Sequence, residues 1–354
     1  MGCDRGFLSS ILQDIGGCLV LKSKALWING ALIAGFLLWA AFQFLAAEDV
    51  VAHLTTVVRH VFWAFYAEYH DDLTSPVFYL PFALVAGLEV VMPAIRPGDF
   101  KSGRGFQAAS TSLDFLYTFF DKPFRLLIML PYAAYLSYLY HHVWGGPVFQ
   151  PVSGLPDWAV VVGLFLVVDF VGWFHHFLRH KFAAVWQFHA VHHSTRYFSI
   201  FSRNRIHPVD VIFSEHIKFL PLLYFQQFFG EALMLYMFKL TLDLFAHSNI
   251  RANFGPLRYI LVTPQSHRIH HSYQPGHLDK NFGVTLSIWD FMFGTQYRKY
   301  DEYPAIGIED PAYPNEQGFR PGQVFKTFAG QMLYPLKVVL GIGKKPTQVL
   351  AAAE

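Results

Sequence analysis

Residues 169–194 read DFVGWFHHFLRHKFAAVWQFHAVHHS. His176 and His180 are four apart, and His189, His192 and His193 follow as H-x-x-H-H. The same H-x-x-H-H spacing returns far downstream at His267, His270 and His271. On a helix, positions i, i+3 and i+4 share one face. His176 and His180 are therefore expected to project together, and so are His189, His192 and His193. A neutral imidazole is a good ligand for a first-row metal, and three such faces can converge on a cavity large enough for more than one ion. Eight of the 18 histidines fall in these three short boxes. A lone histidine beside apolar residues is more often a hydrogen-bonded core residue, but a repeated spacing of this kind is the signature of a metal site.

Outward from the boxes, the composition is that of a membrane protein. The chain of 354 residues is 53% apolar and 18% aromatic, and only 15% of it is charged, against about 25% charged residues in soluble domains. A net charge of +2 is too small to point to nucleic acid. The two cysteines, Cys3 and Cys18, precede the first apolar run. No disulfide framework is implied, and any metal must take nitrogen and oxygen ligands. The first 24 residues do not read as a cleavable signal peptide, and the start Met-Gly-Cys-Asp-Arg-Gly lacks the Ser or Thr that myristoylation requires.

The fold expected is all-α and integral to the membrane. About four transmembrane helices and a re-entrant helical hairpin carry a cytoplasmic, histidine-rich helical cap. Residues 25–46 make an uncharged run of about the 20 residues that cross a bilayer. Residues 76–95 form a second span, weakened by Glu89 and three prolines. Glu89 reads better as a packed or interfacial residue than as a catalytic acid. Residues 124–144 form a third span, and 159–174 a fourth that runs directly into the first His box. Lys22, Lys24 and the basic loop 96–104 set against the loops 47–75 and 145–156, which carry one Arg between them, put the N-terminus and the His boxes on the cytoplasmic side.

The remaining apolar stretch, 217–245, is longer than one straight crossing needs, and Phe229-Gly230-Glu231 offers a turn. Only if it enters and returns do all three boxes share a side, so a hairpin is expected. Residues 281–299 suit an aromatic, amphipathic segment on the membrane surface. The domain division expected is 1–157 for N-terminal helices and loops, 158–300 for a catalytic domain and 301–354 for an interfacial tail.

In order along the chain stand Asp169…His176-x-x-x-His180, His189-x-x-His192-His193, His267-Arg-Ile-His270-His271 and Asn281-Phe-Gly…Trp289-Asp-x-x-Phe-Gly-Thr. This pattern resembles the sterol desaturase/fatty acid hydroxylase superfamily over about residues 160–300. The resemblance implies a non-haem membrane oxygenase with two histidine-held Fe ions. It also implies O₂, and electrons from an external reductase, cytochrome b5 or ferredoxin. The reaction implied is attack on an unactivated C–H bond of a lipid in the bilayer, with hydroxylation favoured. Desaturation, sterol-methyl oxidation and ether-lipid cleavage are alternatives the boxes do not separate. A metal transporter is a remote alternative, because transport needs polar residues along a path across the membrane. No His-Pro-Gly-Gly haem-binding segment occurs.

The metal ligands expected are His176, His180, His189, His192, His193, His267, His270 and His271. By analogy with the family, His247 in Phe-Ala-His-Ser-Asn is a ninth, and His207 in Arg-Ile-His-Pro is a ligand or a close support. His175, about 100° around the helix from His176, is expected to be structural. Metal-bound imidazoles usually give their second N–H to a carboxylate or carbonyl. Asp169, seven residues before His176, and Asp243, four before His247, are the candidates for that role. Asp279 and Asp290 are weaker ones. Arg196, Arg203 and Arg205 read as a basic cluster at lipid headgroups or at an acidic electron donor.

Overall fold

The computed structural model describes residues 76–94, 107–121, 124, 155–214 and 229–342. The expected span at 25–46, all but residue 124 of the span at 124–144, the loop 47–75 and the first half of the hairpin, 217–228, lie outside the described residues. Among the described residues the chain is helical, with two isolated bridges, Pro93 to Ile250 and Leu261 to Leu286, in place of any strand.

Helix α1 covers Pro76–Val91, α2 covers 107–121, α3 Asp157–Lys181 and α4 Ala183–His193. After a 3-10 turn at Ser202–Asn204 come α5 at 208–214 and α6 at Phe229–Ala246. They are followed by α7 at Pro264–His270, α8 at Ile288–Phe293 and α9 at Pro321–Val339.

Helix α3 is the axis of the described part. Its segment Trp158–Lys181 is the one helix, among the described residues, long and apolar enough to cross a membrane. At 1.5 Å per residue, 24 residues span about 36 Å, more than the ~30 Å hydrocarbon core. Trp158, Val162, Val167 and Phe174 leave its outer face apolar and exposed. The helix continues without a break through His176 and His180. It ends at Phe182, a single extended residue (φ −100°, ψ 109°) that is also the N-cap of α4. One residue out of helical conformation is enough to turn the axis and lay the second box back against the first.

Two apolar clusters fix the neighbours. Val85 of α1 packs with Leu240 and Leu244 of α6 and with Ile250. Leu113 and Tyr117 of α2 pack with Val191 of α4 and Val324 of α9. Each such buried side chain contributes about 1.5–3 kcal/mol. Tyr117 Oη donates to Gln331 Oε1 at 3.0 Å, tying α2 to α9. The C-terminal segment thus lies on the helix of the second box through Val324, while Phe325, Leu333, Leu336 and Val339 remain exposed. Helix α7 is short and well specified at its start. Thr263 and Ser266 form a reciprocal capping box and Pro264 stands in the first turn, where its missing N–H costs nothing.

Two expectations change. Residues 281–299 are not a surface segment throughout, since Phe282, Thr285, Leu286, Ser287 and Asp290 are buried. The stretch is a strap under the boxes, and aromatic content alone did not separate those two placements. The arginine cluster after the second box is not a surface cluster either. Arg205 is wholly buried, paired with Asp114 and Glu316, and Arg203 is paired with Asp243. Burial pushes the Asp114 carboxyl up to about 6 even against the adjacent guanidinium. Glu89 accepts the amide N–H of Asn249 at 3.0 Å, which holds the loop that follows His247.

Candidate metal centre

The capped start of α7, the break at Phe182 and the end of α6 bring the boxes to one end of α3. Nine histidines form two groups there. His176, His180, His189, His193 and His270 make one, and His192, His247, His267 and His271 the other; within each, the candidate ligand nitrogens lie within 4.8 Å of one another. The groups touch, with the rings of His193 and His271 stacked at 4.2 Å.

The distribution explains the spacing. The i, i+4 pairs stay together: His176 with His180 and His189 with His193 in the five-membered group, His267 with His271 in the four-membered group. The residue at i+3 crosses over, so that His192 leaves the second box for the four-membered group and His270 leaves the third box for the five-membered group. Both H-x-x-H-H boxes therefore serve both groups. The sequence reading placed all three histidines of a box on one shared face. The i+3 and i+4 positions are about 100° apart on the helix, enough to direct their rings to neighbouring centres.

Metal fit is tested by the nitrogens without partners. The Nε2 atoms of His176, His180, His189, His193 and His270 are buried without a hydrogen-bond partner. A buried polar atom with no partner costs about 1–3 kcal/mol, and here five such atoms belong to one group. In the four-membered group the Nε2 atoms crowd together. His192 and His247 are 3.1 Å apart, His247 and His267 3.0 Å, and His267 and His271 3.1 Å. Four ring nitrogens aimed at one place fit a shared cation. Neither group contains a carboxylate or a thiolate.

Burial keeps the rings neutral. It holds His189, His192, His193, His267 and His271 well below the usual histidine range, with neighbouring histidines adding in the same direction, and Arg179 as well at His189 and His192. It pushes His270 down to about 3. Neutral imidazole is the metal-binding form.

The far ring nitrogens are held from outside. His176 Nδ1 donates to the carbonyl of Phe282 at 2.9 Å, and His270 Nδ1 to that of Lys280 at 2.8 Å. His189 Nδ1 meets Asp210 Oδ2 at 3.0 Å. His247 Nδ1 lies 2.9 Å from the Asp243 carbonyl and 3.0 Å from its Oδ1. These contacts leave Nε2 as the ligand atom of each ring.

The strap 280–296 presents the two carbonyls. Asn281 adopts a left-handed conformation (φ 57°), which Asn tolerates better than most residues. Its side chain donates to Ser266 O and accepts from Tyr297 N, each at 2.8 Å. A Cβ on Gly283 would lie 2.8 Å from Leu286 O and from Val262 Cγ2. Asp290 accepts from Phe282 N, Gly283 N and Trp173 Nε1.

The remaining candidates lie elsewhere. Asp169 touches no histidine. Its Oδ2 accepts from Leu286 N at 3.1 Å and Trp289 Nε1 at 2.9 Å, so it holds the strap, and Phe282 takes the place beside His176 that Asp169 was expected to fill. His207 is in neither group. Its Nδ1 accepts from Val209 N and its Nε2 donates to Met332 O, so neither nitrogen is left for a metal. His175 packs against Phe213 at 5.0 Å. Asp279 pairs with Lys181. Asp210 and Arg179 escaped the sequence reading. The only trace of Asp210 was an acid one turn beyond His207-Pro208, and a backbone carbonyl such as Phe282 O leaves no trace in side-chain chemistry.

The fatty acid hydroxylase family model matches residues 161–295. The chain is 26% identical over 314 residues to ornithine lipid hydroxylase OlsE of Rhizobium tropici, covering 83% of this chain and 85% of that protein. It is 38% identical over 125 residues to alkylglycerol monooxygenase of Danio rerio, covering 35% of this chain and 27% of that protein. To alkylglycerol monooxygenase of Homo sapiens it is 33% identical over 147 residues, covering 42% and 32%. The matched region thus spans less than a third of the length of these two monooxygenases. No solved structure matches. These matches place the region of the histidine boxes, residues 161–295, in the sterol desaturase/fatty acid hydroxylase superfamily.

Proposed function

We propose that this protein is a membrane diiron monooxygenase that hydroxylates an unactivated C–H bond of a lipid. The observation that carries the reading is the division of nine histidines, eight buried and His180 half-buried, into two adjoining, nitrogen-only groups at one end of an apolar helix of membrane-spanning length. Two iron ions, held by His176, His180, His189, His193 and His270 and by His192, His247, His267 and His271, would supply the O₂ chemistry that no side chain provides. The protein's own part is to hold nine imidazoles aimed inward and to keep water away from them. Asp169, Asp243 and Asp290 act by holding strap and rings, not by moving a proton on substrate.

The reading extends to a multi-pass protein with about four spans and a re-entrant 217–245 segment. Its boxes face the cytoplasm, at the endoplasmic reticulum in a eukaryote or the inner membrane in a bacterium. Electrons come from a separate reductase, cytochrome b5 or ferredoxin. The long alignment with an ornithine lipid hydroxylase supports hydroxylation of a polar lipid. The local likeness to alkylglycerol monooxygenases supports ether-lipid cleavage as the second reading.

The test is turnover by the purified, iron-loaded chain with O₂, a reductant system and a membrane lipid extract, read by product mass. A gain of one oxygen atom supports hydroxylation, loss of two hydrogens supports desaturation, and release of a fatty aldehyde supports ether cleavage. Absence of bound iron and of O₂-dependent product sinks the proposal.

A further inference from the structure

One ring in each histidine group is backed by a carboxylate, and each of those carboxylates is matched by an arginine. In the five-membered group, His189 Nδ1 lies 3.0 Å from Asp210 Oδ2, and Arg179 Nη1 lies 3.2 Å from the same oxygen. In the four-membered group, His247 Nδ1 lies between two oxygens of Asp243, 3.0 Å from Oδ1 and 2.9 Å from the backbone carbonyl, and Arg203 reaches Asp243 Oδ2 at 2.6 Å through Nη2 and 2.7 Å through Nε. The four supporting residues come from separate elements: α3, α5, the 3-10 turn and α6. The other held rings of the five-membered group, His176 and His270, face neutral backbone carbonyls. In the four-membered group the Nδ1 atoms of His192, His267 and His271 are buried without a hydrogen-bond partner.

We propose that the Asp210–Arg179 and Asp243–Arg203 pairs are positioning devices that make His189 and His247 the strongest donor of their respective groups. This rests on the reading of the two groups as metal sites. A carboxylate that accepts the Nδ1–H fixes the tautomer and ring angle and raises the basicity of Nε2. A neutral carbonyl does the first and less of the second. The arginine anchors the carboxylate oxygen in place, and at the buried Asp210 it also supplies the countercharge that a carboxylate out of water needs. Its position 3.1 Å from His189 Nδ1 also opposes a positive charge on that ring. Each group then has one dominant donor, and the two donors sit on different elements, His189 within α4 and His247 beyond the end of α6.

The test uses the full-length chain in detergent, loaded with ferrous ion under anaerobic conditions. Retention is read by competition with a chromogenic ferrous chelator. The wild-type chain is expected to hold two ions; if it holds none, the metal reading itself fails. Asp210→Asn and Asp243→Asn preserve shape and remove the charge. Each is expected to weaken one ion by about 10- to 100-fold and leave the other at the wild-type affinity, and the double variant is expected to weaken both. Helical circular dichroism of the metal-free chains is followed on heating. Two ions at wild-type affinity in both single variants overturn the inference while leaving the metal centre standing. Loss of both ions together, or of the helical signal, assigns the pairs to the fold at large and also overturns it.

Discussion

The indole of Trp289 donates to Asp169 Oδ2 at 2.9 Å, and the indole of Trp173 donates to Asp290 Oδ1 at 3.0 Å. Helix α3 contributes Asp169 and Trp173, and the strap contributes Trp289 and Asp290. Each element thus gives an N–H to a carboxylate of the other. The rings add contact area: Trp173 stacks on Phe293 at 4.5 Å and Phe170 meets Trp289 edge-on at 5.1 Å. This crossed pair anchors the strap whose carbonyls hold His176 and His270. It also gives the Asp169…Trp289-Asp290 part of the sequence pattern a mechanical meaning.

Removing one anchor leaves buried donors without a partner. Asp169→Ala strands Leu286 N and the Trp289 indole, at about 1–3 kcal/mol for each donor. The variant is expected to melt at lower temperature and to bind iron more weakly at the group that contains His176. Trp289→Phe removes one donor and keeps most of the ring, so its effect is expected to be smaller. Thermal denaturation and metal analysis of the two variants check the order; equal stability of Asp169→Ala and wild type would refute the anchoring role.

Gly283 is a sharper probe of the same strap. An added Cβ meets Leu286 O and Val262 Cγ2 at 2.8 Å and Asp290 Oδ2 at 2.9 Å. Two of those three are backbone or a committed carboxylate, so the methyl group cannot be accommodated by turning a loose side chain. Gly283→Ala is expected to cost about 1–3 kcal/mol by overpacking and to displace Phe282 O from His176. The check is a lowered melting temperature together with iron loss from one group. By contrast, Gly87→Ala, with open space around its Cβ, is expected to leave metal content alone.

Adjacent histidines separate the two groups. His192 and His193 are neighbours in sequence, yet their rings stand 88° apart in plane and enter different groups. His193→Ala is expected to weaken the ion of the five-membered group, and His192→Ala the ion of the four-membered group. Turnover should fall below detection in both. His207→Asn is expected to retain two ions, since neither nitrogen of His207 is available to a metal. Metal stoichiometry of the three purified variants decides; iron loss in His207→Asn alone would reverse the assignment.

The sequence carried the set of grouped histidines further than it carried their supports. Spacing picked out eight histidines, and family likeness added His247, because their side chains are themselves the chemistry. What holds them was hidden for physical reasons. Phe282 and Lys280 act through backbone carbonyls, which any residue possesses. Asp210 is separated from His189 by a turn and a 3-10 segment, so no helical period links them. Asp169 lies on the same helix as His176 at a suitable spacing, and helical geometry alone placed it beside that ring. The strap, arriving from more than a hundred residues downstream, came between them. The arginines after the second box read as surface charge from composition. Their acidic partners, Asp114, Glu316 and Asp243, are distant in sequence and turned two of them inward.

Acid should unfold this centre in a defined window. Burial holds His270 at about 3 in the folded chain, against 6.5 for a free histidine, and five other rings of the two groups, His189, His192, His193, His267 and His271, move in the same direction. Below about 6.5 the unfolded chain takes up protons that the folded chain refuses, so stability falls as pH falls. For His270 the loss continues until the pH reaches about 3, and above 6.5 the ring is neutral in both states and contributes no pH dependence. A one-unit difference is worth about 1.4 kcal/mol, so six rings make a steep summed dependence. The metal-free chain is therefore expected to lose stability progressively from pH 6.5 downward. Iron, which binds only the neutral rings, should stabilise the chain further and lose that advantage in the same range. Melting temperatures of the metal-free and iron-loaded chains between pH 8 and pH 4 measure both effects. A metal-free melting temperature that stays flat from pH 6.5 to pH 4 would show that the rings are not buried neutral before metal arrives.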